Sequence, residues 1–176
     1  MIRKLLLGLT AAAFLSAQNP PASKVMETAQ AEASAQNKTI FLIFHASWCG
    51  WCKQLDKFIA TPENKAILGK YFVEARLDVE EHGEQKSLEN PGSEDVMTRV
   101  AGKERGLPFF AFLDAKGEVI VNSIRPGDAR AKVENIGYPG KPWETDWFMI
   151  MLKKAAPAMT VDEAKILEKW LRDRQT

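Results

Sequence analysis

The sequence predicts an α/β layer fold with a central mixed sheet, and three observations lead there. Short apolar runs alternate with helical stretches through the first part of the chain. The turn signature Asp114-Ala115-Lys116-Gly117 then joins two further runs as an antiparallel hairpin. After a proline-glycine loop the pattern is helical only. Alternation of strand and helix favours parallel neighbours and a hairpin forces antiparallel ones, so the sheet has to be mixed.

Residues 1–17 read as a secretory signal peptide rather than part of the fold. Arg3 and Lys4 give a basic start, Leu5 to Leu15 an apolar stretch, and Ser16-Ala17 the small residues before cleavage after Ala17. The apolar stretch is short for a membrane span, so no stable insertion is expected after cleavage, although an uncleaved anchor is the competing reading. Export would place the chain in the periplasm, where disulfides persist. The folded domain is then expected over 18–176, with its core over about 39–127 and a helical extension over about 128–176.

Ser23 is the expected cap of a helix over Lys24–Gln36 that turns Val25, Ala29 and Ala33 inward. Thr39–Phe44 is an apolar run suited to a buried strand. A helix follows with Leu55, Phe58 and Ile59 inward, and Thr61-Pro62-Glu63 starts the next one, ending near Gly69. Tyr71–Asp78 reads as a strand. Val79–Glu94 is a polar surface excursion with a solvated acidic stretch at Glu80–Glu84, and Asp95–Lys103 a short helix. Phe109–Leu113 and Glu118–Ser123 form the hairpin, and Arg125-Pro126-Gly127-Asp128 ends the sheet. Two helices close the chain, Glu144–Ala156 and Val161–Arg174, the second begun by the capping-box spacing Thr160 to Glu163. Trp143, Trp147 and Phe148 read as a core seam docking these helices, with a partner surface as the alternative.

Balanced charge, formally +1 over 176 residues, gives no footprint for nucleic acid. Two cysteines and two distant histidines do not make a metal cluster, and no cofactor is implied. Those cysteines lie in Trp48-Cys49-Gly50-Trp51-Cys52-Lys53, where a strand hands over to a helix. The positive end of a helix favours thiolate at Cys49, and thiolate is the nucleophile. Cys52, one turn along, can then close a disulfide. A static structural bridge is the bland alternative, but closing so short a loop stabilises little.

Three landmarks in order resemble the thioredoxin superfamily, and within it the exported thioredoxin-like proteins of bacteria. They are Trp48–Lys53, Gly106-Leu107-Pro108 before an apolar strand, and the hairpin Asp114–Val119. The resemblance implies a thioredoxin fold, here with an N-terminal helix and two C-terminal helices added. It implies Cys49 as attacking and Cys52 as resolving thiol, with Pro108 cis beside them. Leu107 would offer its backbone to an extended substrate, and Trp48, Gly50 and Trp51 would complete the substrate-binding rim. The implied partners are protein thiols and disulfides, with a membrane electron donor to keep the pair reduced.

Departures from the family pattern bear on mechanism. The buried acid of thioredoxins is replaced by Ile43, and the lysine near it by Arg76, leaving Glu74 as a candidate substitute. His45 stands at an aromatic position and reads as a satisfied strand-end histidine rather than a base. Gly50-Trp51 puts no charge between the cysteines, which favours a reductant or isomerase over a disulfide-forming oxidant. A chaperone-like module and a copper-handling protein remain as alternatives from other classes.

Overall fold

A computed structural model describes residues 19–102, 106–127 and 132–174. The expected signal segment, Lys103 and Asp128 lie outside the described residues. The order of elements is α1 (Ala22–Gln36), β1 (Thr39–His45), α2 (Gly50–Ala60), α3 (Pro62–Tyr71), β2 (Phe72–Asp78), a 3-10 helix (Gly83–Leu88), α4 (Ser93–Ala101), β3 (Phe109–Leu113), β4 (Val119–Asn122), β5 (Ile124–Arg125), β6 (Glu134–Asn135), α5 (Pro142–Ala155) and α6 (Val161–Arg172).

The main sheet has the order β2-β1-β3-β4. β1 runs parallel to β2 and antiparallel to β3, which pairs antiparallel with β4. β1 is therefore central, and successive side chains along it point to opposite faces. Ile40, Leu42 and Phe44 pack with Ala29 and Ala33 of α1 and Met97 of α4. Phe41 and Ile43 pack on the other side with Leu55 and Phe58 of α2, Phe148 and Leu152 of α5, and Leu167 of α6. Phe110 and Phe112 of β3 join this second core, where Phe41 stacks on Phe112 at 4.7 Å and meets Phe110 edge-on at 5.7 Å. Buried aromatic pairs of this kind add to what burial alone contributes.

Local signals explain most boundaries. α1 begins at Ala22 with Pro21 as its cap residue, so Ser23 sits inside the first turn and caps nothing. Asn37 ends it in the left-handed region. Pro62 opens α3 as expected, but the Thr61 hydroxyl donates to the Lys57 carbonyl instead of capping. At the hairpin, Asp114 Oδ1 accepts from the N–H groups of Lys116 and Glu118. Gly117 there has φ +88°, and a Cβ would collide with the Gln30 amide of α1. Glu144 accepts from the N–H groups of Gly140 and Lys141 at the start of α5. Thr160 and Glu163 make the expected reciprocal cap of α6.

The structure departs from the sequence expectation after Arg125. The four-stranded sheet has ended by then, at Asn122, but Ile124–Arg125 forms a separate two-stranded ribbon with Glu134–Asn135 that the sequence did not signal. The aromatics of α5 form a core seam: Phe148 is fully buried, with Trp143 and Trp147 partly buried against the same core. Among the described residues no helix is long and apolar enough to cross a membrane.

Candidate active site

The carboxyl end of β1 delivers the chain through Ala46, Ser47 and Trp48 to the start of α2. Cys49 is the N-cap residue of α2, and its sulfur accepts a hydrogen bond from the Cys52 N–H at 3.1 Å. A helix N-terminus aims unpaired N–H groups and a positive dipole at that sulfur, which is what lowers a thiol's pKa. The two cysteines are joined as a disulfide with a Cα–Cα distance of 5.3 Å. Both are buried, Cys49 at 3% and Cys52 at 1% relative exposure. They pack with Ala46 and with Leu107, which precedes Pro108 across a cis peptide bond. The structure thus brings together Cys49, Cys52, Leu107 and Pro108 from segments over fifty residues apart. Lys53 is exposed.

Trp48 and Trp51 are 48% and 52% exposed, so neither is mainly packing. Each nevertheless has one stacked partner. Trp48 lies parallel to His82 at 5.6 Å and donates its indole N–H to the Glu80 carbonyl. Trp51 lies parallel to Tyr138 at 6.0 Å. Gly50 between them has open space where a Cβ would stand.

The acidic excursion is not the solvated loop expected from its composition. Glu81 is 2% exposed and accepts from both the N–H and the hydroxyl of Ser47, at 2.6 and 2.7 Å. It therefore ties the excursion to the residue that precedes Trp48-Cys49. Glu80 adopts φ +54° beside it, a conformation that non-glycine residues seldom take. Glu81→Gln leaves one carbonyl oxygen to serve two Ser47 donors and should lower stability by about 1 kcal/mol. The urea midpoints of the two proteins would check this; equal midpoints would mean that the carboxylate clamp adds nothing.

A charged cluster runs along the same end of β1 and β2. His45 sits between two carboxylates, Nδ1 at 3.1 Å from Asp78 and Nε2 at 3.4 Å from Asp56. The hydrogen bond to Asp56, then that to Asp78, raises its pKa to about 9 against the opposing effect of burial. Both ring nitrogens are thus donors, and His45 is a satisfied imidazolium rather than a free base. Burial works against ionisation of Asp56, but His45 and Arg76 outweigh it and hold the carboxyl below its ordinary value. Arg76 also pairs with Glu74, so Glu74 is engaged on the strand edge. Asp56, four residues after Cys52 on α2, is the carboxylate partner of His45 and Arg76 that sequence reasoning missed.

A sequence model of the thioredoxin-like family matches residues 22–115, more than half of the chain. The chain belongs to that family. Its sheet order, with the cysteines following β1 and the Leu107–Pro108 loop leading into β3, is the thioredoxin fold of that family. Thiol:disulfide interchange protein DsbD of Vibrio cholerae serotype O1 is 33% identical over 100 residues, 56% of this chain and 15% of that protein. This thioredoxin-like chain thus matches only a small part of that relative's length. Among solved structures, disulphide isomerase from Xylella fastidiosa Temecula1 has TM-score 0.49 and 18% identity, covering 96% of this chain and 98% of that one. A thioredoxin from Thermus thermophilus has TM-score 0.43 and 22% identity, covering 58% and 71%.

Proposed function

We propose that the protein is an exported thiol–disulfide oxidoreductase that reduces or isomerises disulfides in protein substrates. The observation that carries this reading is the Cys49–Cys52 disulfide at the N-terminus of α2, packed against Leu107. In the reduced protein the Cys49 thiolate attacks one sulfur of a substrate disulfide. A mixed disulfide forms and the other substrate sulfur leaves as thiolate. The Cys52 thiolate then attacks Cys49 Sγ, which releases the second substrate thiolate and closes Cys49–Cys52. The substrate gains two electrons and the protein loses two.

Each further turnover needs two electrons from a dithiol donor, which for an exported protein is most simply a membrane protein. Trp48, Gly50 and Trp51 form the rim against which substrate lies, and Leu107 and Pro108 its backbone platform. The family relationship supports this chemistry, as does the name of the interchange protein to which part of the chain is similar. The basic-then-apolar segment over 1–17 supports export to the periplasm.

The reduction potential of the Cys49–Cys52 couple tests the direction, equilibrated with dithiothreitol or glutathione and read by tryptophan fluorescence. A reductant should fall near about −270 mV, whereas a value near about −120 mV would make the protein an oxidant. A pair that does not cycle would remove the enzyme reading in favour of a binding module.

A further inference from the structure

Strand β2 lies at one edge of the main sheet, with a neighbour only in β1. Along a strand in a parallel pair, alternate residues turn their main-chain groups to the same neighbour. Val79, just past the strand, donates its N–H to the His45 carbonyl of β1. Leu77, Ala75 and Val73 therefore bond inward, while Phe72, Glu74, Arg76 and Asp78 face out. Both ends of that outward row are closed. The Phe72 N–H donates to the Leu68 carbonyl of α3, the Asp78 N–H donates to Asn90 Oδ1, and the Asp78 carbonyl accepts from Asn90 and Ser93. Between them stand Glu74 and Arg76. Among the described residues, no turn, loop or cap hydrogen bond reaches the main-chain groups of these two.

The edge is open on both faces of the sheet. On the α1 side a groove of about 300 Å³ is bordered by Val25 and Ala29 of the helix and Val73 and Ala75 of the strand. On the α3 side a smaller groove of about 190 Å³ lies among Ile59, Leu68 and Phe72. Apolar hollows on either side of a bare edge are what a sheet one strand short presents. The side chains of the free stretch select the strand that fits. Glu74 and Arg76 share one face, pair with each other, and Arg76 is also held by Asp56. A second β2 laid antiparallel about Ala75 sets Glu74 against Arg76 of the other copy, and Arg76 against its Glu74. These opposed residues are the ones with free main-chain groups, so each pair exchanges both its N–H···O bonds. Centring the pairing on Glu74 or on Arg76 instead would oppose like charges, which destabilises paired strands. Charge and free backbone groups thus select the same register.

We propose that the β2 edge is a self-pairing surface, on which two copies of this chain join antiparallel about Ala75 into one continuous sheet. The partner is a second copy rather than a longer strand of another protein. The free stretch is closed on both sides, and its charges complement themselves under a two-fold axis. Only a short run of backbone is shared, so association is reversible and depends on concentration. The motif Trp48–Lys53 follows the carboxyl end of β1, which runs parallel to β2. Antiparallel pairing therefore sends the two motifs to opposite ends of the joined sheet, and neither covers the other.

Sedimentation equilibrium of the oxidised full chain, from about 10 µM to about 1 mM, tests this together with amide hydrogen exchange. The closed Cys49–Cys52 bond leaves no thiol to link copies covalently. A monomer–dimer equilibrium is expected, with the Glu74 and Arg76 amides exchanging about fivefold or more slower once most chains are paired. Glu74→Lys, which opposes cation to cation in both pairs, should weaken the dimer about tenfold. Arg76→Glu opposes acid to acid and should do the same. An equal mixture of the two variants restores opposite charges at both positions and should pair again. A monomer at every concentration would overturn the proposal and leave the edge to a strand from another protein. A dimer in which those two amides exchange as in the monomer, or one that Glu74→Lys does not weaken, would overturn it as well. If Arg76→Glu does not fold for want of the Asp56 bond, amide protection and Glu74→Lys still decide.

Discussion

Cys49→Ser is expected to abolish exchange with protein disulfides, lowering the rate by on the order of 10³-fold or more, because a hydroxyl cannot replace a thiolate nucleophile. Cys52→Ser should behave differently. Attack by Cys49 survives there, but the resolving sulfur is gone, so a mixed disulfide with substrate should accumulate. Non-reducing electrophoresis of each variant after incubation with a disulfide-bonded protein distinguishes the two. The asymmetry follows from position: Cys49 caps α2 and receives the Cys52 N–H, while Cys52 lies inside the first turn. Trapping by Cys49→Ser and not by Cys52→Ser would reverse the assignment of roles.

Stability of the oxidised protein is expected to fall as pH rises from about 6.5 to about 9, and His45 is the reason. A histidine with a higher pKa folded than unfolded holds its proton more tightly in the folded chain. Its contribution is complete below pH 6.5 and is lost as pH passes through about 9. The shift taken alone corresponds to about 3 kcal/mol. Solvent reaches the Asp56 and Asp78 carboxylates, each about one-third exposed, and screening reduces the expected loss to about 1–2 kcal/mol. The cysteines are bonded to each other in this form and carry no proton to confuse the measurement. Urea midpoints at pH 6, 7.5 and 9 for wild type and His45→Gln would check it. Parallel pH curves for the two proteins would show that His45 is not the group responsible.

The motif and the strands were legible because both leave local signals. A dithiol at a helix start fixes its spacing, and β1 and β3, covered on both faces, read as unbroken apolar runs. Val25, Ala29 and Ala33 identified α1, although Ser23 misled as its cap because a proline ahead of it already sets the chain for helix entry. The surround of the site left no such trace. Glu81 looks like any surface acid until Ser47 is brought to it, and β5 and β6 have two residues each, too few to show a period. Asn135 and Tyr138 are remote in sequence from the loop and the helix they meet, a contact that only folding creates. Asp56 alone had a readable signal, its spacing of four from Cys52.

The placement of α5 and α6 has a consequence for the order in which the molecule is made. Synthesis delivers the main sheet and both cysteines first, yet the core around Phe58, Phe110 and Phe112 is completed by Phe148, Leu152 and Leu167. Until those late segments emerge, part of the aromatic face of the sheet stays uncovered, and a nascent chain in that state is open to aggregation. A chain halted before α6 therefore carries the full reactive motif on a body whose core is incomplete.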